Sequence, residues 1–171
     1  MVGIVVDSML GNLARWLRVL GYDTEYSRKM QDKDLLSLAI REGRIIVTRD
    51  LGLHRRALKM NLKSVYIPPD VTEVADMLVL VAEGAGLSVR FDKSNTRCPL
   101  CNSRLSIVPK AQIATIVPPE VLAKYDTFWY CPRCRKAYWQ GTHWKTISNT
   151  LEIVRSRLGR RPPESFPQEP T

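Results

Sequence analysis

Hydrophobic and polar positions alternate with two different periods over the first 90 residues, and these periods predict alternating strands and helices. Short apolar runs rich in Val and Ile predict strands over residues 3–7, 44–48 and 64–67, and residues 23–26 predict a further short strand. Apolar positions three and four residues apart predict helices over about 10–20, 33–42, 53–58 and 74–87. Strands and helices in this order indicate an α/β fold, with a parallel sheet flanked by helices.

A further helical pattern lies near the C-terminus. Its apolar positions, three and four residues apart, are Trp144, Ile147, Leu151, Val154 and Leu158. The pattern predicts a helix over 146–158 that docks onto one of the domains, with self-association as the alternative. Residues 159–171 are rich in Pro and polar residues, which predicts a disordered tail.

Between these regions, all four cysteines of the chain form two Cys-x-x-Cys pairs, Cys98/Cys101 and Cys131/Cys134. This spacing is typical of a structural zinc site with four thiolate ligands, which leaves no open position for catalysis. Disulfides and a thioredoxin-like redox motif are the weaker alternatives, because the N-terminus has no signal-peptide pattern and two pairs are present rather than one. The sequence therefore predicts a domain over 1–92 and a zinc ribbon over 93–145.

Charge is distributed unevenly along the chain. Residues 96–171 carry 12 Lys and Arg against 5 Asp and Glu, whereas residues 1–95 carry 14 against 12. Four zinc-bound thiolates and the ion together subtract two units, so the C-terminal half keeps a charge of about +5. Basic residues near the cysteines, among them Arg133, Arg135 and Lys136, are interleaved with aromatic ones, which predicts contact with a nucleic acid. The alternative is a solvated basic face with the aromatic residues in the core of the small lobe.

Four aspartates occupy informative positions in the first domain. Asp7 and Asp50 follow two predicted strands, and Asp32 and Asp34 open a predicted helix. Carboxylates at the carboxyl ends of parallel strands would suit Mg²⁺ or Mn²⁺. Each aspartate could instead cap a helix.

Three arginines lie close to these acids in the predicted fold. Arg15 and Arg18 are one turn apart on the first helix, and Arg49 precedes Asp50. They are candidate ligands of substrate phosphate, and structural ion pairs are the alternative. Neither of the two histidines, His54 and His143, is predicted to be catalytic.

Several runs of residues resemble the Mut-seven C-terminal RNase domain family. These runs are residues 7–18, 20–23, 44–50, 97–102 and 138–144, in the order that the family has. The resemblance implies a PIN-like nuclease fold with a C-terminal zinc ribbon and a metal-dependent ribonuclease activity. It further implies Asp7, Asp50 and either Asp34 or Asp32 as the catalytic acids that hold one or two metal ions.

The hypothesis from the sequence is therefore a cytoplasmic, PIN-like endoribonuclease with a structural Zn²⁺ and a catalytic Mg²⁺ or Mn²⁺. RNA is the expected partner, with tRNA or the ribosome as candidates, and no membrane association is expected because no apolar stretch could span a bilayer. The alternatives are an RNA- or ribosome-binding module without catalytic activity, and a zinc-stabilised protein-interaction domain.

Overall fold

The computed structural model describes residues 2–160 and has an α/β fold with two lobes. The first lobe alternates strands and helices in the predicted order. Its elements are β1 (Gly3–Val6), α1 (Gly11–Val19), β2 (Asp23–Tyr26), α2 (Asp32–Glu42), β3 (Ile45–Thr48), α3 (Leu51–Lys59), β4 (Ser64–Tyr66) and α4 (Val74–Ala85).

The four strands of the first lobe form a parallel sheet in the order β2-β1-β3-β4. Alternate side chains of β1 and β3 are buried on opposite faces of this sheet. Ile4 and Val47 pack with α1 and α4, whereas Val5 and Ile46 pack with α2 and α3. A strand that is buried on both faces needs a continuous apolar run, which explains the pattern seen in the sequence.

The second lobe is a small antiparallel sheet with two short helices. Its elements are β5 (Ser106–Ile107), α5 (Lys110–Ile113), α6 (Pro119–Lys124), β6 (Phe128–Cys131) and β7 (Lys136–Trp139), with strand order β5-β6-β7. A small core of Ile113, Val117 and Phe128 lies between the helices and the sheet. The short helices were not predicted from the sequence.

The C-terminal helix α7 (His143–Arg160) is longer at both ends than the predicted 146–158. Leu151 and Val154 are buried in the core of the first lobe, beside α4. The prediction that this helix docks back onto the protein is thus confirmed. The remainder of the predicted tail, residues 161–171, lies outside the described residues, and the domain boundaries at 92 and 145 stay a prediction. Within residues 2–160, no helix has the length and apolar character needed to cross a membrane.

Candidate functional site

Asp7 lies at the carboxyl edge of the parallel sheet, directly after β1. Its side chain is 6% exposed and accepts three hydrogen bonds. The backbone N–H of Met9 donates to Oδ1 (2.8 Å), while the hydroxyl of Thr48 (2.6 Å) and the backbone N–H of Arg49 (2.7 Å) donate to Oδ2. This carboxylate therefore joins the ends of β1 and β3.

Asp50 is linked to Asp7 through one side chain. The hydroxyl oxygen of Thr48, which donates to Asp7, also accepts a hydrogen bond from the backbone N–H of Asp50 (2.9 Å). Asp50 is exposed and caps α3, because its Oδ1 accepts a hydrogen bond from the backbone N–H of Leu53 (2.9 Å). The prediction that Asp7 and Asp50 both stand at the carboxyl edge of the sheet is confirmed by these contacts.

Asp32 and Asp34 stand at the start of α2 and have partners of their own. Oδ2 of Asp34 accepts a hydrogen bond from the backbone N–H of Gln31 (3.0 Å), as part of a capping box. Asp32 forms an ion pair with Arg56 of α3. The capping alternative thus holds for Asp34 but not for Asp32, because the N-cap of α2 is Gln31. Capping does not prevent a carboxylate from binding a metal.

Among the described residues, the four cysteines form the one group of three or more potential metal ligands from Cys, His, Asp or Glu. Their ligand atoms all lie within 4.8 Å of one another. The aspartates do not form such a group. Their assignment as catalytic, metal-binding residues stays a prediction.

The predicted phosphate-binding arginines differ in their surroundings. Arg15 is exposed. The guanidinium of Arg49 donates to the carbonyl oxygens of Pro68 (2.9 Å) and Val71 (2.7 Å), so it holds the loop that follows β4. Arg18 is only 5% exposed. Both Arg18 and Arg49 thus have structural partners among backbone carbonyls, and their assignment to substrate phosphate stays a prediction.

The buried Arg18 connects the two lobes. Its Nε donates to the carbonyl oxygen of Thr24 (2.9 Å), and its Nη1 donates to those of Pro99 (3.0 Å) and Leu100 (3.2 Å) in the first cysteine pair. Burial lowers the pKa of Arg18. The Arg18 guanidinium is held there because backbone carbonyls of the first cysteine pair face the last turn of α1.

Asn102 makes a further connection between the lobes, and this role was not predicted from the sequence. Its Oδ1 accepts a hydrogen bond from the backbone N–H of Thr24 (3.0 Å), and its Nδ2 donates to Oδ1 of Asp23 (2.7 Å). Asn102 has a φ of 68°, and Arg135, at the equivalent position after Cys134, has a φ of 54°. Both pairs thus turn through a left-handed residue directly after the second cysteine.

The four cysteines form a site that suits zinc. The Sγ atoms of Cys98 and Cys134 are 3.8 Å apart, and those of Cys101 and Cys131 are 3.5 Å apart. Zn–S bonds of about 2.3 Å at the tetrahedral angle would place sulfurs about 3.8 Å apart. The donor set and its spacing therefore fit a structural Zn²⁺, as predicted.

The pKa values of three of the cysteine thiols also favour a bound cation at this site. Hydrogen bonding with Cys101, followed by burial, raises the pKa of Cys134 to about 12. Burial also raises the pKa of Cys131. At Cys101 burial opposes ionisation, but hydrogen bonds with Ser103 and the other cysteines outweigh it and lower the pKa to about 6. One thiolate thus disfavours the ionisation of its neighbours, a penalty that a central dication would remove.

The remaining basic candidates, Arg133, Arg135 and Lys136, are exposed at the second cysteine pair, where a partner could reach them. Contact of these three residues with RNA stays a prediction. His54 is half-buried in α3, with its Nδ1 2.8 Å from the hydroxyl oxygen of Ser64. Burial lowers the pKa of His54.

A polar cavity of about 340 Å³ opens beside the Asp7 loop. Its lining includes Ser8, Asn12, Arg15, Tyr26 and Arg28. Arg28 was not singled out from the sequence, although its place two residues after β2 puts it at the same edge of the sheet as Asp7. The cavity brings two exposed cations next to the acidic edge.

Comparison with known protein families identifies the chain. The family model described as "Mut7-C RNAse domain" matches residues 2–151, which include both lobes and the first half of α7. Comparisons with the curated proteins and with the solved structures give no significant match. The chain belongs to the Mut7-C RNAse domain family.

Proposed function

We propose that this protein is a metal-dependent ribonuclease that cleaves RNA at the carboxyl edge of its parallel sheet. The observation that carries the proposal is the pair of carboxylates, Asp7 and Asp50, linked by Thr48 beside an arginine-lined cavity. Membership of an RNase domain family supports the reaction class. RNA is then the substrate, and tRNA or the ribosome as the partner stays a prediction, as does the cytoplasmic location.

The donor set at this edge fits a hard divalent cation. Mg²⁺ typically binds through one or two carboxylates, substrate phosphate and several waters, so it does not need a cage of protein ligands. Asp50 is exposed and engages Oδ1 in capping, while its Oδ2 makes no hydrogen bond within the described residues. Asp50 and Asp7, together with Asp34 or Asp32, would hold the cation.

The chain's own residues have separable roles in this proposal. When bound, Mg²⁺ or Mn²⁺ supplies Lewis-acid polarisation of the phosphodiester and lowers the pKa of water. Thr48 fixes the spacing between Asp7 and Asp50, because its hydroxyl bonds to both residues. Arg15 and Arg28 would hold the substrate phosphates that flank the scissile bond.

The decisive experiment replaces Asp50 by Asn. Asparagine is as good an N-cap as aspartate, so Asp50→Asn removes the charge and preserves the start of α3. We expect Mn²⁺-dependent cleavage of single-stranded RNA to fall by about 100-fold or more, as when a group that stabilises transition-state charge is lost. The melting temperature should be unchanged.

Asp92→Asn is the matched control, because Asp92 caps a surface turn through the backbone N–H of Ser94 (2.9 Å), outside the set of acids assigned to the site. It should retain full activity. Wild-type activity in Asp50→Asn would refute the proposed site.

A second candidate is an RNA-binding module without catalysis. The observation that favours it is that Asp7 accepts three hydrogen bonds within the protein, which occupy most of the acceptor positions of its carboxylate. It predicts no cleavage by the wild type with any divalent cation, and RNA affinity that is unchanged or higher in Asp50→Asn, since a negative charge is removed.

A further inference from the structure

Three cavities adjoin one another along the exposed side of α1. The polar cavity beside Asp7 shares Asn12 and Arg15 with a cavity of about 220 Å³ between α1 and α7. The latter shares Val19 and His143 with a cavity of about 240 Å³ beneath the zinc ribbon. The surface that these neighbouring cavities line, from Ser8 at the acidic edge to the ribbon, is here named the α1 groove.

All four tryptophans of the chain line the α1 groove. Trp16 lies in its middle section, and the other three, Trp129, Trp139 and Trp144, lie at the ribbon end. Trp129 is buried, whereas Trp16, Trp139 and Trp144 are each partly accessible. These residues come from α1, β6, β7 and α7, so the fold gathers them from four separate elements.

The charge of the groove matches a polyanion. Among the described residues that line the three cavities, there is no Asp and no Glu. Arg15 and Arg28 are exposed at the end near Asp7. A groove with cations at one end and aromatic rings at the other suits a chain that carries both phosphates and bases.

We propose that the α1 groove binds single-stranded RNA and leads it from the zinc ribbon to the acidic edge, an inference that rests on the proposed function for its end point. Unpaired bases stack on Trp16, Trp139 and Trp144, while Arg15 and Arg28 contact the phosphates. Bases inside a duplex cannot present their faces to aromatic side chains, so the groove selects single strands. From Asn12 to Val19, α1 rises by about 10 Å, the length of about three stacked nucleotides at ~3.4 Å each.

A docked protein partner is the main competing occupant. The ribbon end taken alone is mostly apolar, and it would suit a peptide helix. The two neighbouring cavities toward Arg15 and Arg28 have no acidic residue in their linings, however, and this favours a polyanion over an apolar peptide.

The test measures binding without cleavage. Wild-type protein with its zinc retained is titrated with a fluorescein-labelled 12-nucleotide RNA, in buffer that contains neither divalent cations nor chelators. Anisotropy reports the affinity, and quenching of the intrinsic tryptophan fluorescence reports stacking. We expect quenching by the single strand, and at least tenfold weaker binding of a duplex of the same length.

Variants locate the RNA on the surface. Arg15→Glu should weaken binding at least tenfold. It should also reduce the slope of log Kd against log salt concentration by about one, the value for one lost phosphate contact. Arg155→Glu makes the same change of charge at an exposed site of α7 outside the groove and should alter the affinity far less. Trp144 packs edge-to-face against Phe91, with the ring centroids 4.4 Å apart. Trp144→Leu retains an apolar side chain at this contact and should weaken binding by about 5- to 150-fold. His143→Glu, at an exposed position where two of the cavities meet, is the second variant if Trp144→Leu does not fold.

Some results would overturn the inference. Equal losses in Arg15→Glu and Arg155→Glu would show that binding follows net charge alone. Equal affinity for single and double strands, or no RNA binding at all, would exclude a stacking groove. Cleavage with unaltered KM in the groove variants would leave the ribonuclease intact and refute the groove. Groove-dependent binding without cleavage would instead refute the ribonuclease alone.

Discussion

Substitution of Arg18 by methionine should destabilise the whole protein rather than weaken substrate binding. The guanidinium of Arg18 donates to three carbonyl oxygens, at 2.9, 3.0 and 3.2 Å, and two of these belong to the first cysteine pair. Methionine fills much of the same volume but leaves these acceptors without their donor. The two lobes would lose a charged link at the place where they meet.

The size of the effect follows from the number of bonds and from burial. Each hydrogen bond from a charged donor contributes about 1.5–3 kcal/mol, and because one Nη1 serves both Pro99 and Leu100 we count two full bonds. Burial already disfavours the cation, as the lowered pKa of Arg18 shows, so part of this energy is recovered when the charge is removed. We expect a net loss of about 2–4 kcal/mol, which corresponds to a fall in Tm of about 5–15 °C.

The assay is thermal and urea unfolding of the zinc-loaded protein, together with the rate of zinc transfer to a chromogenic chelator, which should rise. Arg15→Met is the matched control, because Arg15 lies one turn earlier on α1 and is exposed. It should leave Tm unchanged. The reasoning would be refuted if Arg18→Met changed the free energy of unfolding by less than about 0.5 kcal/mol, the range of ordinary surface substitutions. An equal loss of stability in Arg15→Met would refute it as well.

Three further predictions concern the backbone, the metal and the pH. Gly21 has a φ of 92°, and a Cβ there would collide with the carbonyl oxygen of Asn95, so Gly21→Ala should cost about 2–5 kcal/mol in urea unfolding. Gly43→Ala, with a φ of 64° and open space around it, should cost only about 1 kcal/mol. Cys101→Ser should lower bound zinc, measured by elemental analysis, from one equivalent to near zero. Burial raises the pKa of Asp23, but hydrogen bonds from Asn102 and Arg44 outweigh burial and lower that pKa overall. The difference in unfolding free energy between wild type and Asp23→Asn should therefore be constant from about pH 5 to 7 and shrink below about pH 4, where the carboxylate is protonated. A difference that stays constant down to pH 3 would contradict this assignment.

The order of elements and the zinc ligands could be predicted because both are encoded over short distances. The apolar run of β3 needs no distant information, since a strand buried on both faces must be apolar throughout. The two cysteine pairs likewise have the spacing of zinc knuckles within four residues each. Local patterns of this kind were sufficient to predict the fold class and the four-cysteine cluster.

The roles of single charged residues could not be predicted, because they depend on groups far away in the sequence. Arg18 and Arg15 look equivalent on a helix, and only the carbonyls of Pro99 and Leu100, about 80 positions later, make one of them structural. Asp50 has the same sequence context whether it caps a helix or binds a cation. The α1 groove was hidden for the same reason, since its four tryptophans come from separate elements.

The contact between the lobes determines how this protein can be recombined. Asn102 of the ribbon accepts a hydrogen bond from the backbone of β2, and Arg18 of the first lobe donates one to the backbone of the ribbon. Each lobe thus contributes one side chain to the contact between them. Leu151 of α7 then returns to the core of the first lobe after the ribbon has been completed. A chimera that exchanges only the ribbon would disrupt both hydrogen-bond sets, whereas the segment 108–127, which contains α5 and α6, offers a place for insertions that leaves them intact. The first lobe and the ribbon must therefore be exchanged together in any chimera that keeps this contact.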